Sequence, residues 1–197
     1  MAQKDIREIL NFWPPFRPNL AFDDHGWLQI GTAELLKDSL SSKTQMVLEL
    51  GAWYGLSTRK ILEWAPEGLL ATIDHWCGSA EHLNGNEFIQ SKLPQMFEHF
   101  IANCWDYRHR LLPIRMNTVI GMKLLHHFGF KPDLVYVDAS HDYESVKLDL
   151  DTILMLFPKA IIVGDDWNWA GIKQAVTETA AIRGLRIEVN SNGWRMK

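Results

Sequence analysis

The sequence predicts an α/β fold: a doubly wound, mostly parallel, seven-stranded sheet with helices on both faces and an antiparallel C-terminal hairpin strand. Three observations carry this. Five short apolar runs rich in Val, Leu and Ile alternate with helix-like segments, as in a sheet buried on both faces. The first run, Met46-Val-Leu-Glu-Leu50, ends in Gly51-Ala-Trp-Tyr-Gly55, a tight turn that opens a helix. Near the C-terminus, Asn192-Gly193 separates two last strands as a hairpin turn does.

Taken in order, residues 1–45 read as an N-terminal arm and lead-in helix. Trp13-Pro-Pro-Phe16 and Pro18 forbid a continuous helix there, while Gly31 to Ser39 has helical spacing. Residues 46–197 read as the main domain, the whole forming one compact unit. Its first strand, from Met46, leads through the glycine turn to a helix over Arg59–Ala65, with Ser57 as a fitting N-cap. Leu69–Asp74 is a strand ending in an acid. Gly78–Pro94 is polar and reads as a long loop. Gln95–Cys104 and Val119–Phe128 are helices around a strand at Arg110–Arg115. Leu134–Asp138 and Ala160–Asp165 are strands, with a helix over Tyr143–Phe157 between them. Gly171–Ile182 is the last helix, and Leu185–Val189 and Trp194–Met196 form the hairpin.

The 197 residues suit one domain with a sizeable core. A formal net charge of −4, with no basic stripe, argues against a nucleic-acid partner. No run approaches the ~20 apolar residues of a membrane span, and the first residues lead into no signal-like apolar run. Two cysteines without a CxxC pair fit a reduced, cytoplasmic setting. The sequence leaves a homo-oligomer open.

The function is read from where the acids fall. Glu49, Asp74, Asp138 and the pair Asp165-Asp166 stand at the carboxyl ends of predicted strands, so a parallel sheet gathers them on one rim. Helix capping explains such acids singly, but a ligand and a metal explain the set. Asp74 follows Gly51 by 23 residues, near the ~20-residue offset at which an acid receives ribose hydroxyls. Trp53 stands where a dinucleotide turn needs its second glycine, and Glu49 would repel a diphosphate. Acidic side chains there instead suit a nucleoside with a cationic tail, one carrying an amino group and a sulfonium.

Glu49-x-Gly51-x-x-x-Gly55, with an acid ending the second strand, resembles the class I S-adenosylmethionine-dependent methyltransferases of Rossmann-like fold, over roughly Met46 to Lys197. The resemblance implies that Glu49, Gly51 and Gly55 border the methionine moiety, that Asp74 binds the ribose and that Asn117 contacts adenine. Trp53, Ser57 and Asp138 complete the set assigned to the cofactor. Asn117 is equally an N-cap of the helix after it.

Asp138, followed by Ala-Ser-His141-Asp142, and Asp165-Asp166 resemble the acids of metal-assisted O-methyltransferases, both catechol-type and sugar-type. The resemblance implies that Asp138, Asp165 and Asp166 hold Mg²⁺ or Mn²⁺ and that Asp138 takes part in catalysis. His141 is the candidate general base, because imidazole titrates near neutrality. Asp142 fits better as the N-cap of the helix at Tyr143, and His126-His127 as structural. Trp53, Trp76, Trp167 and Trp169 follow strand ends and supply candidate pocket walls. Trp76 to His82 reads as a lid. The expected acceptor is a small molecule or a sugar. Trp13-Pro-Pro-Phe16 lacks the polar first residue of the Asn/Asp-Pro-Pro-Tyr signature of amino-methylating enzymes and follows no strand. A non-catalytic nucleoside-binding domain and a nicotinamide-dependent oxidoreductase are the competing readings.

Overall fold

A computed structural model describes Ile6, Leu10 and residues 12–197; the rest of the predicted arm (1–5, 7–9 and 11) lies outside the described residues. The sheet has seven strands in the order β3-β2-β1-β4-β5-β7-β6. These are β1 (Met46–Leu50), β2 (Leu69–Asp74), β3 (Leu111–Arg115), β4 (Leu134–Val137), β5 (Ile161–Gly164), β6 (Ile187–Asn190) and β7 (Gly193–Met196). The first five run parallel, while β7 is antiparallel to both β5 and β6. The main helices are α1 (Ile30–Ser39), α2 (Leu56–Trp64), α5 (Met96–Cys104), α6 (Thr118–His127), α7 (Tyr143–Leu156) and α8 (Ala170–Arg183). The segment predicted as a long loop instead holds two short helices, α3 (Ala80–Leu83) and α4 (Glu87–Lys92). Asn86 makes the second possible by accepting from the Ile89 N–H as an N-cap.

Strand alternation divides the core into two layers. Leu48 and Leu50 face α6, α7 and α8, joining Met122, Leu125, Leu150, Ile153 and Val176. Val47 faces the other way, onto α1, α2 and α5, with Leu36, Ile61, Leu62 and Phe100. The lead-in helix α1 therefore shares the core of the sheet domain: Leu36 and Thr32 are fully buried. Among the described residues no helix is long and apolar enough to cross a membrane.

The topology fixes where a ligand can sit. The order changes direction between β1, whose connection leads to β2, and β4. Open α/β sheets bind ligands in the crevice outside the carboxyl ends of such strands. Here those ends carry Gly51 and Asp138.

Candidate active site

The turn after β1 is built from left-handed residues: Gly51 (φ 86°), Trp53 (φ 50°) and Gly55 (φ 86°). Gly51 cannot carry a side chain, because a Cβ there would lie 2.1 Å from the Asp138 carbonyl oxygen. The turn is therefore pressed against the end of β4. Its amides are turned inward. Gly51 N–H donates to Ile73 O at 2.9 Å and Gly55 N–H to Ala52 O at 2.7 Å. The Asp74 Oδ2 accepts from Ala52 N–H (2.9 Å) and Trp53 N–H (3.1 Å), while its Oδ1 accepts from Trp76 N–H (2.6 Å).

Two expected cofactor contacts, Glu49 and Gly55, and the expected N-cap are corrected here. Glu49 does not point into the site. It alternates with Leu48 and Leu50, so its side chain lies on the α2 face beneath the turn and is fully buried. Its Oε1 accepts from the Ser57 hydroxyl and its Oε2 from the Thr58 hydroxyl, both at 2.6 Å, and Thr72 also donates to Oε2. Burial outweighs these donors and raises the carboxyl to about 7. Ser57 is not the N-cap of α2. That position belongs to Gly55, which leaves the Ser57 hydroxyl free to serve Glu49. Gly55 faces the core, where an added Cβ would meet Cys104 Sγ at 2.5 Å.

Two cavities flank the turn. The smaller, about 120 Å³, is lined by Asp74, His75, Ser79, Met116, Asn117 and Thr118, among others. Asn117 is the N-cap of α6, its Oδ1 accepting from Val119 N–H at 3.0 Å. The larger, about 270 Å³, is lined by Gly51, Ala52, Ser57, Asp138, His141, Asp165 and Asp166, with Trp53, Trp27 and Trp169. Gly51, Trp53, His82 and Ala139 border both, so the cavities adjoin across the turn.

The acids are distributed differently from the expected trio. Asp138, His141 and Asp166 each offer a ligand atom, all within 4.8 Å of one another. Asp165 is not in this set. It is buried, its Oδ1 accepting from the Thr32 hydroxyl (2.7 Å), the Asp166 N–H (2.8 Å) and the Asn192 amide (3.3 Å). It ties α1 and the hairpin to the end of β5. Asp166 takes the outward position by adopting a left-handed backbone, φ 61°.

His141 Nε2 lies 2.9 Å from Asp166 Oδ2. This bond raises the imidazole above its ordinary value despite burial, and it holds Asp166 low although burial opposes that. Asp138 is pushed well up by burial and by the nearby Asp165 and Asp166, with Tyr136 OH donating to its Oδ2 at 3.0 Å. A crowd of carboxylates raised in this way is relieved by a cation. His141 Nδ1 has no hydrogen-bond partner; Glu81 Oε1 stands 3.7 Å away.

Trp53 and Trp169 line the larger cavity as expected. Trp76 does not: it is buried, its indole donating to Trp53 O at 2.9 Å. Trp167 packs against the core. Asp142 caps α7 through Ser145 N–H. His126 and His127 sit in the last turn of α6, against Phe157 and Phe128. The Trp13-Pro-Pro-Phe16 stretch borders a separate surface groove with Phe97 and Ile101.

Residues without a sequence signal complete the site. Gly26, Trp27 and Gln29 come from the segment before α1, and Glu81 and His82 from the short helix α3. That segment is held by the Trp53 indole, which donates to His25 Nδ1 at 3.0 Å, and by Lys92 on Asp23 at 2.5 Å. Of the stretch Trp76 to His82, Glu81 and His82 border this cavity, while Trp76 is buried.

Residues 48–167 match the profile of a family described as a methyltransferase domain, well over half of the chain. No curated protein sequence matches it. Among solved structures, the chain resembles the calicheamicin methyltransferase CalS11 with a TM-score of 0.61 at 15% identity, covering 84% of this chain and 77% of that one. A caffeoyl-CoA O-methyltransferase-like protein from Staphylococcus aureus gives 0.61 at 14% identity, covering 87% and 85%. An O-methyltransferase from Bacillus cereus in complex with SAH gives 0.51 at 15%, covering 84% and 77%. Identities this low establish a shared fold.

Proposed function

The chain belongs to the methyltransferase-domain family, and from that premise we propose that it is a class I S-adenosylmethionine-dependent enzyme that methylates a hydroxyl of a small-molecule or sugar acceptor with the help of a divalent cation. One observation carries the reading: Gly51, pivot of the cofactor turn, shares a single cavity with Asp138, His141 and Asp166.

The residues fit the cofactor. Asp74 and Asn117 border the smaller cavity, suited to ribose and adenine, and the turn at Gly51 leads to the larger one. The amides of Ala52 and Trp53 are already taken by Asp74, which disfavours a pyrophosphate and hence a nicotinamide dinucleotide. S-adenosylmethionine supplies a methyl group already activated on sulfonium sulfur. The acceptor oxygen bonds to that carbon as the carbon–sulfur bond breaks, and the walls formed by Trp53 and His82 help hold the two reactants in line.

The residues also fit a cation. Asp138, His141 and Asp166 would hold it, and the imidazole widens the choice beyond the Mg²⁺ or Mn²⁺ expected from three acids. Such a cation would fix the acceptor hydroxyl and lower its pKa. A second, metal-free reading rests on the 2.9 Å His141–Asp166 bond. With Nε2–H donated to Asp166, the Nδ1 lone pair takes the hydroxyl proton. The unpaired cysteines, Cys77 exposed and Cys104 buried, suit a reducing cytoplasm.

The test is turnover across hydroxylated small molecules with S-adenosylmethionine, with added Mg²⁺ or Mn²⁺ and then with EDTA. Loss of turnover in EDTA, with cofactor binding retained, supports metal assistance. Full activity in EDTA supports His141 acting alone.

A further inference from the structure

The larger cavity is provided for one kind of acceptor charge. No lysine or arginine lines either cavity among the described residues. Three basic side chains are turned to other partners: Lys92 to Asp23, Arg59 to the Phe22 ring and Lys173 to the Trp167 ring. The backbone offers no anion seat either, since the Ala52 and Trp53 amides are filled by the chain's own Asp74. Against this, four acidic side chains, Glu81, Asp138, Asp165 and Asp166, border the larger cavity, and Glu81 stands outside the candidate cation set.

The walls are aromatic. On one side Trp27 stacks on His82 (centroids 5.8 Å, planes 20° apart) and lies 5.4 Å from Trp53. Trp169 stacks on His141 at 4.7 Å and 24°. Trp27 is 51% exposed and Trp169 45%, so both present ring surface that the protein itself does not cover. Indole faces bind apolar rings and attract cations through the ring quadrupole.

Resting on the methyl-transfer reading above, we propose that the acceptor is an uncharged or cationic molecule with an aromatic or apolar body, and not a phosphate- or carboxylate-bearing one such as a coenzyme A ester or a nucleotide sugar. The hydroxyl faces Asp138 and His141, the body lies along Trp27 and Trp169, and an ammonium group is drawn to Glu81 at the mouth. An anionic group meets carboxylates and π-faces with no lysine or arginine to compensate them.

The experiment uses three phenols of similar size: tyramine, tyrosol and 4-hydroxyphenylpropionate. Each is titrated into the full chain loaded with S-adenosylhomocysteine, and tryptophan fluorescence reports binding at Trp27 and Trp169. The expected result is a Kd for tyramine at least tenfold below that of the carboxylate, with tyrosol between them. Glu81→Lys is expected to narrow that gap at least threefold. Equal or tighter binding of the carboxylate, or no binding by any of the three, overturns the proposal. Calorimetry with S-adenosylhomocysteine is run first. A chain that fails to bind it defeats the methyl-transfer reading, whereas a chain that binds it and prefers the anion defeats the acceptor proposal alone.

Discussion

Glu49→Gln should make the protein more stable at alkaline pH and leave it almost unchanged under acid conditions. Glu49 is fully buried, and its carboxyl is raised from 4.5 to about 7 by burial, which the hydroxyls of Ser57, Thr58 and Thr72 only partly offset. In the unfolded chain the group ionises near 4.5; in the fold it keeps its proton to about 7. The folded state binds the extra proton between these values, so stability from this group falls as pH rises from about 4.5 to about 7 and stays lower above. At about 1.4 kcal/mol per pH unit, the cost at pH 8 is roughly 3 kcal/mol. Glutamine keeps the shape and cannot ionise, and the three hydroxyls can turn to accept from its amide. Urea unfolding from pH 5 to pH 8 measures the difference. The variant should match the parent within about 1 kcal/mol at pH 5 and exceed it by roughly 3 kcal/mol at pH 8, or roughly 6–12 °C in Tm for a chain of this length. A parent more stable than the variant at pH 8 would refute the reasoning, since the hydroxyls would then fully compensate the buried charge.

Other perturbations separate scaffold from chemistry. Gly51→Ala should cost more than about 3 kcal/mol in a denaturant titration, because its Cβ would overlap the Asp138 carbonyl at a φ of 86°. Parental stability would show that the turn and β4 can separate freely. Asp74→Asn and Asp74→Ala should both weaken S-adenosylhomocysteine binding at least tenfold by calorimetry. Both should also lose stability, the alanine variant by roughly 1–3 kcal/mol and the asparagine variant by less, since alanine strands three backbone N–H groups whereas the single acceptor oxygen of asparagine still serves part of the set. Asp138→Asn should abolish Mn²⁺ binding, followed by paramagnetic resonance. Asp165→Asn should retain that binding while lowering stability by about 1 kcal/mol through its bonds to Thr32 and Asn192; the reverse pattern would return Asp165 to the metal site.

The fold was legible because each strand is a short apolar run and each core helix has its own periodicity. The Asp74, Asp138 and Asp142 positions followed from where those runs end. What failed had a geometric cause. Glu49 sits in a strand, and alternation sends it to the face covered by α1, α2 and α5, away from the rim, a consequence of the same pattern that located β1. Asp165 and Asp166 are adjacent in sequence, but a left-handed residue turns one outward while Thr32, 133 positions earlier, claims the other. Gly26, Trp27 and Gln29 reach the cavity through long-range pins such as Trp53 to His25. No periodicity or spacing encodes such contacts. The polar stretch after Asp74 hid two helices because each is too short for an apolar stripe.

The central claim is that the turn at Gly51, with Asp74, holds S-adenosylmethionine beside the Asp138–His141–Asp166 cluster. Calorimetric titration of the purified chain with S-adenosylhomocysteine and, separately, with NAD tests it most directly. Saturable one-to-one binding of S-adenosylhomocysteine, weakened at least tenfold in Asp74→Asn, with no heat from NAD, is the predicted result. Tight binding of NAD with none of S-adenosylhomocysteine would contradict it.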